Sequence, residues 1–243
     1  MSLSKDRIIA ALDVDSAEKA VELVKSLAGE VGAFKVGLEL FNVTGPAIFD
    51  ELKAAGAGKI FYDAKFHDIP NTVASAVRAA VRNNVWMLNV HASGGRAMMS
   101  AAAEAAKEEA GKLGIDPPKL IGVTILTSID NMTLADELRV ASTLVNQVMH
   151  LAQLAQSAGL DGVVASPNEV KYIRDVTGQN FLIVTPGVRP AGADVGDQKR
   201  VMTPADAIRT GSSYLVIGRP ITRAENPAEA ARKIAAEMSA VGE

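Results

Sequence analysis

Eight short apolar runs rich in Val and Ile alternate with longer segments of helical period along the 243 residues. The runs fall at 8–12, 33–36, 60–62, 87–90, 120–125, 162–165, 182–185 and 214–217. Helical stretches are predicted near 16–28, 45–56, 70–83, 95–113, 133–158, 168–176, 203–210 and 226–240. Thr203-Pro204 and Asn226-Pro227 mark helix starts, because proline is pre-set for a first helical position. No linker or low-complexity stretch interrupts the alternation, so 1–243 reads as one α/β domain. Eight such units in this length suit a closed (β/α)8 TIM barrel. A doubly wound open sheet gives similar repeats. The count of eight favours the barrel.

The residues at the strand ends favour it too. Asp13 follows the first strand, Lys35 ends the second, and Asp63 and Lys65 end the third. Asn89 and His91 close the fourth, and Thr124 and Thr127 the fifth. Pro186 and Arg189 follow the seventh, and Gly218-Arg219 the eighth. In a barrel these polar groups meet at one rim, the C-terminal face, where active sites are built.

The densest of these groups is the stretch 63–72, Asp-Ala-Lys-Phe-His-Asp-Ile-Pro-Asn-Thr. Strand alternation puts Asp63 and Lys65, two apart, on one face. Asp68 follows in the turn, before a helix that Pro70 can open. An acid, a base and a second acid at a strand end are suited to moving protons. A solvent-facing ion pair is the plainer alternative. Apolar flanks at Ile60, Phe61, Ile69 and Val73 argue for a site.

Composition narrows the chemistry. The chain is 48% hydrophobic but only 4% aromatic, so its core should be Ala, Val, Leu and Ile. A net charge of -3 gives no footprint for nucleic acid or an anionic membrane. No apolar stretch reaches the roughly 18 residues that span a bilayer. The first seven residues lack the apolar segment of a signal peptide. With no cysteine there are no disulfides, thiolate zinc sites or thiol nucleophiles, which fits a cytoplasmic location. The only histidines are His67, His91 and His150, and His150 falls in an amphipathic stretch that assigns it to the surface, so no metal site is expected. There is no Gly-x-Ser-x-Gly elbow, Walker A loop or Gly-x-Gly-x-x-Gly after a strand. Ala57-Gly58-Lys59-Ile60 precedes a strand rather than a helix and is not a phosphate loop.

An anion site is expected elsewhere. The run 214–220 is a buried strand ending in Gly218-Arg219-Pro220. Barrels often bind phosphate after strands seven and eight, where glycine admits the backbone and arginine adds a charged grip. Arg189, in Pro186-Gly187-Val188-Arg189-Pro190, supplies a second cation. The polar, glycine-bearing stretch 191–200 between them has no element of its own and reads as a lid.

Together these blocks resemble the orotidine 5′-phosphate decarboxylase family, over essentially the whole chain. Asp63-x-Lys65-x-x-Asp68-Ile69-Pro70-Asn71-Thr72 is similar to that family's catalytic stretch. Ala11-Leu12-Asp13, Phe34-Lys35-Val36-Gly37, Leu126-Thr127-Ser128, Pro186-Gly187-Val188-Arg189-Pro190, Gly196-Asp197-Gln198 and Ile217-Gly218-Arg219-Pro220 match its other blocks in order. Related barrel enzymes acting on sugar phosphates share the Asp-x-Lys-x-x-Asp core. The Ile-Pro-Asn-Thr continuation and the Pro-Gly-x-Arg, Asp-Gln and Gly-Arg tail make the match specific. Val188, where bacterial relatives often have Ile, is a minor departure.

The resemblance implies conversion of orotidine 5′-phosphate to UMP without a metal or organic cofactor. It implies a catalytic network of Lys35, Asp63, Lys65 and Asp68, with Asp68 and Thr72 reaching in from the second subunit of a homodimer. Lys65 would protonate C6 of the pyrimidine. Asp13 and Lys35 would hold the ribose hydroxyls, and Thr127 and Ser128 would lie near the base. Gln198, Arg189, Gly218 and Arg219 would hold the phosphate, with Ile69 and Pro186 also at the substrate. One alternative is a magnesium-dependent sugar-phosphate enzyme on the same barrel, which would need an acidic cluster where Lys35 stands. A catalytically silent nucleotide-binding protein is another, and three carboxylates near an anionic ligand argue against it.

Overall fold

In the computed structural model, strand β1 (Ile8–Ala11) pairs in parallel with both β2 (Ala33–Val36) and β8 (Tyr214–Ile217). Between them β3 (Ile60–Phe66), β4 (Met87–His91), β5 (Lys119–Val123), β6 (Gly162–Val164) and β7 (Leu182–Pro186) follow in sequence order. The eight strands form a closed barrel. The sequence expectation of a (β/α)8 TIM barrel holds, and the open sheet does not. The structure describes residues 4–190 and 202–240.

Closure follows from the strand alternation. One side of each strand packs outward on helices, as Ile8 and Ala10 of β1 do, in a core shared with Val24, Val77 and Ile234. The other side fills the barrel interior with Ile9, Ala11, Ala33, Phe61, Met87, Ile121, Val184 and Val216. Because side chains repeat every two residues, each inward row continues upward by steps of two. Ala33 leads to Lys35, Phe61 to Asp63, Met87 to Asn89 and His91, and Val216 to Gly218. The apolar plug thus gives way to charge within one residue pair.

The helices are α1 (Ala17–Leu27), α2 (Leu38–Thr44), α3 (Ala47–Ala54), α4 (Pro70–Arg82), α5 (Gly95–Leu113) and α6 (Leu144–Ser157). They continue with α7 (Val170–Thr177), α8 (Pro204–Arg209), α9 (Arg219–Thr222) and α10 (Pro227–Ser239). Ser16, Thr143, Thr203 and Asn226 cap their helices by accepting a backbone N–H three residues on.

Several boundaries differ from the sequence expectation. The helix predicted at 45–56 is α3, and a further helix, α2, which the sequence pattern does not predict, precedes it; Gly45 at φ +68 and Pro46 separate the two. The helix predicted at 133–158 is a π-helical turn, Thr133–Glu137, then a break, then α6. Arg139 at φ +55 ends the first piece, and the Thr143 cap starts the second. Finally, β3 does not stop at Tyr62 but runs to Phe66 through a register shift against β4.

Candidate active site

The register shift in β3 builds the site. Tyr62 pairs with Leu88 and Phe66 with Val90, so Asp63, Ala64 and Lys65 all stand opposite the single residue Asn89. Such a bulge re-aims side chains, and here it does so through a backbone unusual for a side-chain-bearing residue. Lys65 has φ +51. Simple alternation therefore gave the right partners for the wrong reason: Asp63 and Lys65 meet across a bulge, not along a regular strand. Lys65 Nζ is 2.7 Å from Asp63 Oδ1.

Asp63 sits between two cations. Its Oδ2 is 3.5 Å from Lys35 Nζ, and Lys35 in turn donates to Asp13 Oδ1 at 2.9 Å. The result is a row of alternating charge, Asp13, Lys35, Asp63, Lys65, across the mouths of β1, β2 and β3. Gly37 leaves room for it: a Cβ there would stand 2.9 Å from Lys35 Nζ. Burial alone would raise the Asp63 pKa. The charges of Lys35 and Lys65 and the hydrogen bonds from Lys65 and Asn89 outweigh it and hold the group below the usual carboxylate range.

Asn89, which closes its strand in the sequence but is not among the expected site residues, joins the site in the structure. It is wholly buried, and its side chain donates to Asp63 Oδ1 at 2.7 Å while accepting the Lys65 backbone N–H at 2.7 Å. The signal was the two-residue step from Met87, which aims Asn89 inward beside Asp63. Farther along, the His91 and His67 rings lie 5.4 Å apart. Burial, then His67 and Lys65, hold His91 below the usual imidazole range, against an opposing pull from Asp63.

Two adjoining cavities open here. The first, of about 190 Å³, places Lys35, Asp63 and Lys65 against an apolar wall that includes Phe61, Val123, Ile125, Val164 and Val216, with Thr127 and Pro186 at its edge. The second, of about 370 Å³, is polar and holds Asp13, Arg189, Gly218, Arg219 and Arg223. Lys35, Pro186 and Val216 line both. Gly187, at φ +77, turns the chain after β7, and the Arg189 backbone N–H bonds to Met202 at 3.0 Å. An apolar chamber with cations beside a polar chamber with arginines suits a ligand with a flat ring at one end and an anion at the other.

The remaining predicted residues lie apart from both cavities within this chain. Asp68, Ile69, Thr72 and Ser128 are exposed, and none lines either cavity. Asp68 accepts the Ile69 backbone N–H at 2.6 Å, and Ile69 is 67% exposed. Gln198 and the expected lid 191–200 lie outside the described residues. No group of three His, Cys, Asp or Glu suited to a metal ion occurs among the described residues.

Residues 6–234 match the model of the orotidine 5′-phosphate decarboxylase / HUMPS family. The chain belongs to this family. It is 56% identical over 238 residues to the orotidine 5′-phosphate decarboxylase of Moorella thermoacetica, covering 98% of this chain and 94% of that one. The enzyme of the same name from Syntrophomonas wolfei is 51% identical, covering 97% and 98%. Among solved structures, orotidine 5′-phosphate decarboxylase from Lactobacillus acidophilus superposes with a TM-score of 0.84 at 38% identity, over 95% of this chain and 98% of that one. The family resemblance of the sequence motifs is thus borne out along nearly the whole chain, and with it the barrel.

Proposed function

We propose that this protein decarboxylates orotidine 5′-phosphate to UMP, the closing step of de novo pyrimidine synthesis, in the cytoplasm. The observation that carries the reading is the placement of Asp63 between the ammonium groups of Lys35 and Lys65, at 3.5 and 2.7 Å, against an apolar wall. The choice of substrate is supported by relatives about half identical to this chain that are named orotidine 5′-phosphate decarboxylase.

The chemistry explains why such residues are needed. As the bond from C6 to the carboxylate carbon breaks, carbon dioxide leaves and an electron pair stays in an in-plane orbital. The ring's π-system cannot delocalise it. A preplaced cation must stabilise it, and the Lys65 ammonium is suited to that task and to giving C6 the proton that completes UMP. Lys65 regains its proton from solvent. Asp63 holds the Lys65 ammonium in place at 2.7 Å and stands near the departing carboxylate.

Asp13 and Lys35 hold the ribose hydroxyls in this reading, and Thr127, Ser128 and Pro186 face the base. Arg189, Gly218, Arg219 and Gln198 take the phosphate. Asp68, Ile69 and Thr72 serve the partner's site in a homodimer. Their exposure here supports that role, since Asp68 lies outside both cavities of its own chain.

The test is the ultraviolet absorbance of orotidine 5′-phosphate after adding purified protein, with and without a strong chelator. Absorbance should fall at the same rate in both. An unchanged spectrum overturns the activity. Loss of activity on chelation points instead to a metal-dependent sugar-phosphate type of chemistry.

A further inference from the structure

We infer that Asn89 is a positioning residue: its buried amide takes the place of the strand pairing that the β3 bulge gives up, and so sets where the Lys65 ammonium stands.

The bulge leaves three residues of β3 opposite one of β4. Backbone groups there lose their regular ladder partners, and a buried donor without a partner is costly. Asn89 Oδ1 meets the Lys65 backbone N–H at 2.7 Å, replacing the carbonyl a regular strand would offer. The same amide turns its Nδ2 to Asp63 Oδ1 at 2.7 Å. Asp63 Oδ1 also accepts from Lys65 Nζ at 2.7 Å, so the three residues close a ring of contacts. Lys65 sits at φ +51, a left-handed conformation that an L residue holds only when its surroundings impose it. The surroundings here are one side chain, wholly buried, that bonds to the backbone of Lys65 and the carboxylate that holds its ammonium.

A neutral amide does both jobs whatever the pH. A hydroxyl is too short to reach both partners, and an ionised carboxylate would have no donor and would set a second negative charge against Asp63. Asparagine at 89 therefore fixes both the backbone twist and the charge balance. Lys35, Lys65, His91 and His67 are the other titratable groups near this point.

The kinetic arm of the test rests on the proposed decarboxylation; the structural arm does not. Asn89→Ala should lower kcat for orotidine 5′-phosphate on the order of a hundredfold, the usual effect of a small displacement at a reacting centre, while UMP affinity stays within about threefold. A kcat within about threefold of the parent overturns the inference, as does a loss of UMP affinity matching the loss of kcat. Asn89→Asp supplies a second measure, should the alanine variant fail to fold. A protonated Asp at this site can donate to Asp63 and accept from Lys65 as Asn does, and its neighbour Asp63 raises its pKa. The ratio of its kcat to the parent's should therefore climb as pH falls, and a ratio flat with pH overturns the donor role. In a crystal structure of ligand-free Asn89→Ala, Lys65 should leave the left-handed region or lose its contact with Asp63. Unchanged geometry there overturns the inference even if the parent proves inactive toward orotidine 5′-phosphate. Changed geometry with an inactive parent supports the role of Asn89 and overturns the proposed activity instead.

Discussion

Lys35 Nζ lies 3.5 Å from Asp63 Oδ2, on the opposite oxygen from the one that holds Lys65. The two lysines come from neighbouring strands and share one largely buried carboxylate. That sharing makes Asp63 the hinge of the site's electrostatics, because each cation is tolerated near the other only while Asp63 is ionised between them.

Asp63→Asn should destabilise the fold at neutral pH by on the order of 2 kcal/mol, less than for a fully buried pair because Lys65 is partly exposed and Lys35 keeps Asp13. The folded-state pKa of Asp63 is depressed. Its stabilising effect is therefore fully present above the unfolded-state value of about 3.9 and fades as pH falls through the lower folded-state value. The stability gap between parent and variant should hold at pH 7 and narrow below about pH 4. Urea titrations across that range measure it, and a gap that widens in acid contradicts the placement of Asp63 between two cations.

Lys65→Ala should abolish nearly all turnover while UMP still binds, because the ammonium acts chiefly as charge develops at C6. Single-turnover kinetics and calorimetric UMP titration separate the two effects. Near-normal turnover removes Lys65 as proton donor.

Much of this site could be read in the sequence, and the gaps have physical causes. Asp13, Lys35, Asp63 and Lys65 were legible because each sits at the polar end of an apolar strand, and the closed barrel gathers them at one rim. Asn89 is not legible in this way because its role arises only where β3 and β4 lose register, and pairing between strands leaves no periodicity in either strand alone. The left-handed Lys65 was equally hidden, since no glycine or asparagine marks the position. The break before α6 falls in a run of helix-compatible residues, and Arg139 overrides their local preference.

Arg219→Ala should lower kcat/KM for orotidine 5′-phosphate on the order of a hundredfold, in line with loss of a charge-assisted contact. Arg219 lines the polar cavity and not the one that holds Lys65. Its loss should therefore matter far less for orotidine, which lacks the phosphate. Equal losses on both substrates would place Arg219 away from the anion.

Asp68 and Lys65 are three residues apart in sequence, yet only Lys65 lines a cavity of its own chain, and Asp68 is exposed at the start of α4. Beside it Ile69 is 67% exposed, an apolar side chain suited to burial against a second copy. If each site takes Asp68 from the partner, Lys65→Ala and Asp68→Ala homodimers are both inactive for different reasons. When their subunits exchange, a mixed dimer has one site carrying both defects and one carrying neither. Random exchange makes half the dimers mixed, each with one sound site of two, so activity should return to about a quarter of the parent's. Exchange is followed independently by mass spectrometry of differently tagged subunits. Complete exchange without recovered activity would mean that each site is built from a single chain.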